Sequence, residues 1–217
     1  MGIIWRREMK SYFLTPIGYV FCGMFLLLSG FLFFFYNIYA GVADMTSLFG
    51  NLRYVFMLIT PILTMRLISE ERRAKVDQLL LTSSCPVGSI VGGKFAAACT
   101  VLLVALLITG AYVAILMAYS GLRLASVLSG YIGTWLLGCG YVAIGLFMSS
   151  LTEKQISAAV MTYAANLILQ LAETYAGQIV LPGVTLQWAA SGLSLYKRYM
   201  NFGAGIVRFS EVVSFLS

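Results

Sequence analysis

The run Gly88-Ser89-Ile90-Val91-Gly92-Gly93-Lys94 carries the glycines and the lysine with which a P-loop cradles phosphates. Such a loop also needs a hydroxyl at the next position to hold Mg²⁺, and here that residue is Phe95. No strand precedes it, and a long apolar run follows, so the sequence predicts that this chain does not hydrolyse ATP. Histidine is absent, which removes the commonest general base and metal ligand. Cys22, Cys85, Cys99 and Cys139 show no C-x-x-C spacing and read as small apolar residues rather than as disulfide or metal ligands. No apolar stretch holds paired acids or a nucleophile beside a base. A membrane-embedded enzyme is therefore the least favoured class, and no cofactor or metal is expected in the chain itself.

Two other groupings could carry function. The first is the one strongly charged run: Arg66, Glu70, Glu71, Arg72, Arg73, Lys75 and Asp77. Glu71 with Lys75 and Arg73 with Asp77 are opposite charges at i,i+4, and Val76, Leu79 and Leu80 share one helical face. A solvated connector would need no Leu79-Leu80-Leu81, and such apolar surface outside a bilayer favours a docking helix. The second grouping is polar. Gln155, Thr162, Asn166, Gln170 and Glu173 form one stripe of an α-helix, and Thr60 and Thr64 stand at i,i+4 on another. Such residues either glue a bundle by hydrogen bonds or line a pathway or a dimer seam.

The elements that must position these groups are membrane spans. Stretches 17–43, 95–122, 124–152 and 155–172 contain no charged residue. A bilayer core needs about 20 apolar residues in helical form, which these lengths meet or approach. Hydrophobic residues make up 60% of the 217 and charged residues 10%, too apolar a mixture for a soluble surface. The runs are continuous rather than alternating, which points to helices and not to a barrel. The expected fold is an all-α, polytopic helical membrane protein forming one transmembrane domain over residues 1–217. Its spans are expected at Ile17–Tyr39, Tyr54–Ile68, Lys94–Tyr119, Tyr131–Leu151 and Ile156–Ala172, with Pro61 kinking the second. A sixth apolar run begins at Phe215-Leu216-Ser217, so five full spans and the start of a sixth are expected in a C-terminally shortened chain.

Residues 1–15 read as an interfacial amphipathic helix anchored by Trp5, Arg6, Arg7 and Lys10. With the N-terminus inside, cytoplasmic segments hold Arg6, Arg7, Lys10, Arg66, Arg72, Arg73, Lys75, Lys94 and Lys154, against Arg53, Arg123, Lys197, Arg198 and Arg208 outside. Positive-inside bias thus places the N-terminus and loop 69–93 in the cytoplasm of a multi-pass inner-membrane protein. It also accounts for the net charge of +6 without a nucleic-acid partner. Segment 173–209, with Pro182-Gly183, Trp188, Tyr196, Lys197, Arg198 and Tyr199, is expected at the outer interface. It reads equally as a gate, a site for an extracytoplasmic accessory protein, or a plain interfacial belt.

Several motifs carry a resemblance. They are Glu8-Met9-Lys10-Ser11-Tyr12-Phe13-Leu14-Thr15-Pro16, Arg66-Leu67-Ile68-Ser69-Glu70-Glu71-Arg72-Arg73 and Val76-Asp77-Gln78-Leu79-Leu80-Leu81-Thr82, then Pro86, Gly93-Lys94-Phe95 and Gly145-Leu146-Phe147-Met148-Ser149-Ser150-Leu151-Thr152. Together they resemble the ABC-2 type (type V exporter-like) transporter permeases, nearest the gliding-motility and nitrous-oxide-reductase-maturation branch. The resemblance implies a half-transporter that pairs with a second permease subunit, as homo- or heterodimer, and with two ABC ATPase subunits that bind ATP and Mg²⁺. It implies that Glu70, Glu71, Arg72, Arg73, Lys75, Val76, Asp77, Leu79, Leu80, Leu81 and Thr82 form the coupling helix. It also tips Thr60, Thr64, Thr162, Asn166 and Gln170 toward the pathway or dimer seam. The alternative is a non-ABC channel or carrier. Against it, span centres hold no ionisable residue, and Arg66, Lys94 and Arg123 sit at span ends, where snorkelling would suffice.

Overall fold

The computed structural model describes residues 2–41, 45–69, 87–119 and 124–175. Among these, every regular element is helical. In chain order they are α1 Gly2–Leu14, α2 Pro16–Phe33 continuing as a π-helix Phe34–Tyr39, α3 Thr46–Thr64, α4 Val87–Ile108, α5 Gly110–Tyr119, α6 Leu124–Leu151 and α7 Gln155–Tyr175. Four segments are long and apolar enough to cross a membrane: Pro16–Tyr39, Thr46–Thr64, Gly88–Ala118 and Ser126–Leu151. The apolar part of α7, Gln155–Leu171, is shorter. The described residues are therefore all-helical in their regular structure and compatible with several membrane crossings.

Local chemistry sets the boundaries. Thr15 is extended before Pro16, which opens α2 at a position where a missing N–H costs nothing. Gly18 permits α1 to fold back on α2, because a Cβ there would lie 2.5 Å from the Tyr12 carbonyl oxygen. Helix α3 begins at Thr46 rather than Tyr54, since Leu48, Phe49 and Leu52 face the core and extend its buried side. Arg53 is accommodated there with its guanidinium 4.6 Å from the Tyr54 ring centroid. Pro61 lies inside α3, and regular helix stops at Thr64 instead of reaching Ile68. Helix α4 starts at Val87, so Gly88–Lys94 is helical and does not form a phosphate-cradling loop. The expected loop 69–93 is shortened accordingly.

Packing centres on α3, which touches α2, α6 and α7, while α4 packs against α1 and α6. Glycines on α6 set the close approaches: Gly130 lies on the Phe49 ring, Gly138 on Leu102 and Gly145 on Thr64. These contacts make α3 and α6 run parallel, with Phe49 and Gly130 at one end and Thr64 and Gly145 at the other. The turn at Glu153-Lys154, closed by Ala158 N–H to the Lys154 carbonyl at 3.0 Å, then returns α7 antiparallel to both. Phe21, Phe25 and Phe56 form the fully buried aromatic centre between α2 and α3.

Candidate functional site

A helix end leaves its last carbonyls without intrahelical partners, and α3 ends just before segment 70–86. Three other helices satisfy this end. Tyr12 of α1 donates its hydroxyl to the Leu63 carbonyl at 3.1 Å. Lys94 of α4 donates to the Leu67 carbonyl at 2.6 Å. Ser149 of α6 accepts the N–H groups of Ile68 and Ser69, each at 3.2 Å. Ser69 also bonds back to the Met65 carbonyl. The stretch from Leu63 to Ser69 is thus gripped by α1, α4 and α6.

Charge reinforces the grip. Lys94 Nζ lies 3.3 Å from Glu8 Oε1, with the lysine side chain 3% exposed and the glutamate 13%. The same carboxylate oxygen accepts from the exposed Arg7 at 3.0 Å. An ammonium at the C-terminal end of α3 also meets the negative end of its helix dipole. Lys94 does not snorkel, contrary to expectation. Folding of α1 over the start of α4 covers the ammonium and supplies an acid, and the stretch after α3 supplies a carbonyl, in place of water. Burial, with Glu8 nearby, pushes the Tyr12 phenol well above its ordinary range, so it stays a hydrogen-bond donor.

Helix α1 itself is therefore held by protein as well as by any interface. Trp5 donates Nε1–H to Thr100 Oγ1 of α4 at 3.1 Å. Arg6, Arg7 and Lys10 remain exposed on the other side. The residues expected to form a coupling helix, Glu70, Glu71, Arg72, Arg73, Lys75, Val76, Asp77, Leu79, Leu80, Leu81 and Thr82, lie outside the described residues, as do Arg123, segment 176–209 and the expected sixth span. Glu8, Tyr12 and Ser149 were not singled out by sequence as partners of Lys94 and α3. Their partners are 51 to 86 residues away, a separation that no local periodicity reports.

The middle of the polar stripe is enclosed by this chain. Thr162, Asn166 and Gln170 are buried where α7 packs on α3 and α6, and Thr60 and Thr64 are buried on α3. The opposite face of α7 exposes Ile156, Val160, Leu171 and Ile168, the last 64% exposed. Six residues separate Gly145 from Leu151 and seven separate Gln155 from Thr162, or about 9 and 10 Å of helix. Thr162 is therefore close in height to Gly145 and its neighbour Thr64. The hydroxyls bond their own helices: Thr60 to Phe56 O at 2.5 Å, Thr64 to Thr60 O at 3.0 Å and Thr162 to Ala158 O at 2.8 Å.

Asn166 differs, because neither of its buried amide atoms has a hydrogen-bond partner. Leaving such a group unpaired costs about 1–3 kcal/mol, so Asn166→Leu should raise stability by that order. Reversible unfolding in mixed detergent micelles would measure it. A loss of stability would mean that the amide is paired in the membrane. The described residues contain no group of three or more Cys, Asp or Glu able to hold a metal. Compared with protein-family models, curated proteins and solved structures, the chain gives no match.

Proposed function

We propose that this chain is the membrane-spanning subunit of an ATP-driven transporter of the ABC-2 type, coupling hydrolysis by two separate ATPase subunits to export or to mechanical signalling across the inner membrane. The motifs around Arg66–Thr82 and Glu8–Pro16 suggest the family. The single observation that carries the coupling role is the base of α3, where the chain running into segment 70–86 is tied to α1, α4 and α6. A push on that segment would reach three helices at once. None of the four described spans contains an Asp or Glu, and Arg53, near the middle of Thr46–Thr64, lies against the Tyr54 ring. The lack of an intramembrane acid favours an energy source outside the bilayer over an ion-coupled carrier.

In this reading α7 is the fifth span, the N-terminus is cytoplasmic and a second permease subunit completes the complex. ATP and Mg²⁺ are bound by the partner ATPases. Affinity purification of the full chain from its native membranes in mild detergent tests the proposal. The expected result is co-isolation of a protein with a complete P-loop, ATPase activity that depends on it, and none in the isolated permease. A complex without such a protein, or hydrolysis by the isolated chain, would overturn it.

A further inference from the structure

Cys99 on α4 and Cys139 on α6 are both free thiols. Two contacts set them against each other. Gly138 lets α6 come so near α4 that a Cβ at this position would lie 2.7 Å from Leu102 Cδ1. One turn before Cys139, Trp135 donates Nε1–H to the Cys99 carbonyl oxygen at 3.2 Å. With Thr109 meeting Tyr131 two turns or more further along, these contacts set an antiparallel register of α4 and α6 that brings Cys99 opposite Cys139. Cys99 is buried and Cys139 half-buried. Neither residue belongs to the base of α3 or to the polar stripe.

We propose that Cys99 and Cys139 are an oxidisable pair that closes a disulfide between α4 and α6, with a lipid-soluble hydroperoxide as oxidant. Such an oxidant reaches an apolar site that aqueous reagents do not. Cys139, the more accessible thiol, attacks the terminal peroxide oxygen. The O–O bond breaks, leaving a sulfenic acid on Cys139 and releasing the alcohol. The Cys99 thiol then displaces the sulfenic oxygen, which leaves as water, and the S–S bond forms. Two thiols are oxidised by two electrons and one hydroperoxide is reduced to alcohol and water. Because α4 carries Lys94 and α6 carries Ser149, the cross-link would join two of the helices that hold the base of α3. That consequence rests on the proposed coupling role; the disulfide itself does not.

The test uses the full chain with Cys22→Ser and Cys85→Ser, reconstituted in liposomes and treated with cumene hydroperoxide. It is then unfolded, alkylated and mapped by mass spectrometry. The expected product lacks two hydrogen atoms, resists alkylation at both thiols until reduced, and yields a linked peptide containing Cys99 and Cys139. Adding Cys99→Ser should halt the reaction at a sulfenic acid on Cys139 that dimedone captures. Full alkylation of both thiols after peroxide, or separate overoxidation of each without a linked peptide, would overturn the proposal. The readout needs no ATPase partner, so its failure and failure of the transporter reading are distinguishable.

Discussion

Replacing Lys94 with methionine should be the most destabilising single change at the base of α3, at about 3–5 kcal/mol. The substitution keeps most of the aliphatic stem and removes the ammonium. The Leu67 carbonyl then loses its donor at 2.6 Å, and Glu8 loses its partner at 3.3 Å in a site where it is 13% exposed. Arg7 still reaches the carboxylate from the exposed side and compensates in part. Glu8→Gln alone should cost less, since Lys94 retains the carbonyl. Combining the two changes removes the uncompensated charge, so the double variant should lose less than the sum, with a coupling of about 0.5–3 kcal/mol. Unfolding of all four proteins in mixed micelles gives the cycle. Strict additivity would mean that the ion pair contributes nothing to holding α1.

The second large effect belongs to segment 70–86. Leu79→Asp or Leu80→Asp should abolish association with the ATPase while leaving the permease inserted. On the proposed reading these leucines fill an apolar groove of the partner, and a buried, unpaired carboxylate there costs several kcal/mol. A loss of about 4 kcal/mol weakens binding roughly a thousandfold, enough to empty a detergent-solubilised complex. Co-isolation yields and alkaline carbonate extraction of the variant measure the two halves of the claim. Wild-type recovery of the ATPase with both variants would remove the docking role of the leucines. Glu71→Ala, which by the sequence spacing would remove only an i,i+4 partner of Lys75, should by contrast change little.

These predictions rest on different kinds of information. Membrane character was legible in the sequence, because lipid demands long uncharged apolar runs and the chain supplies them at 17–43, 95–122, 124–152 and 155–172. The turn at Glu153-Lys154 and the break at Pro16 were legible for the same local reason: a charge pair cannot stay in hydrocarbon, and proline lacks an N–H. The amphipathic N-terminal helix was visible in its 3.6-residue period.

What periodicity could not supply was the partner of each polar group. A lysine at the head of a span reads as a snorkelling cation until the fold lays Glu8 over it and presents the Leu67 carbonyl. The P-loop resemblance of Gly88–Lys94 likewise depends on backbone shape, and the helix beginning at Val87 removes that shape. Cys99 and Cys139 are 40 residues apart in the chain, and only the close approach of α4 and α6 that Gly138 permits sets them opposite each other. The stripe of α7 was readable as polar, but its direction was not, because a helix with two usable faces is oriented by what packs on it. Here α3 and α6 cover Thr162, Asn166 and Gln170, while Ile156, Val160 and Ile168 stay outward. Local sequence determined the helices and the medium that suits them; burial of their few polar groups, which depends on contacts between distant segments, was decided by the tertiary structure.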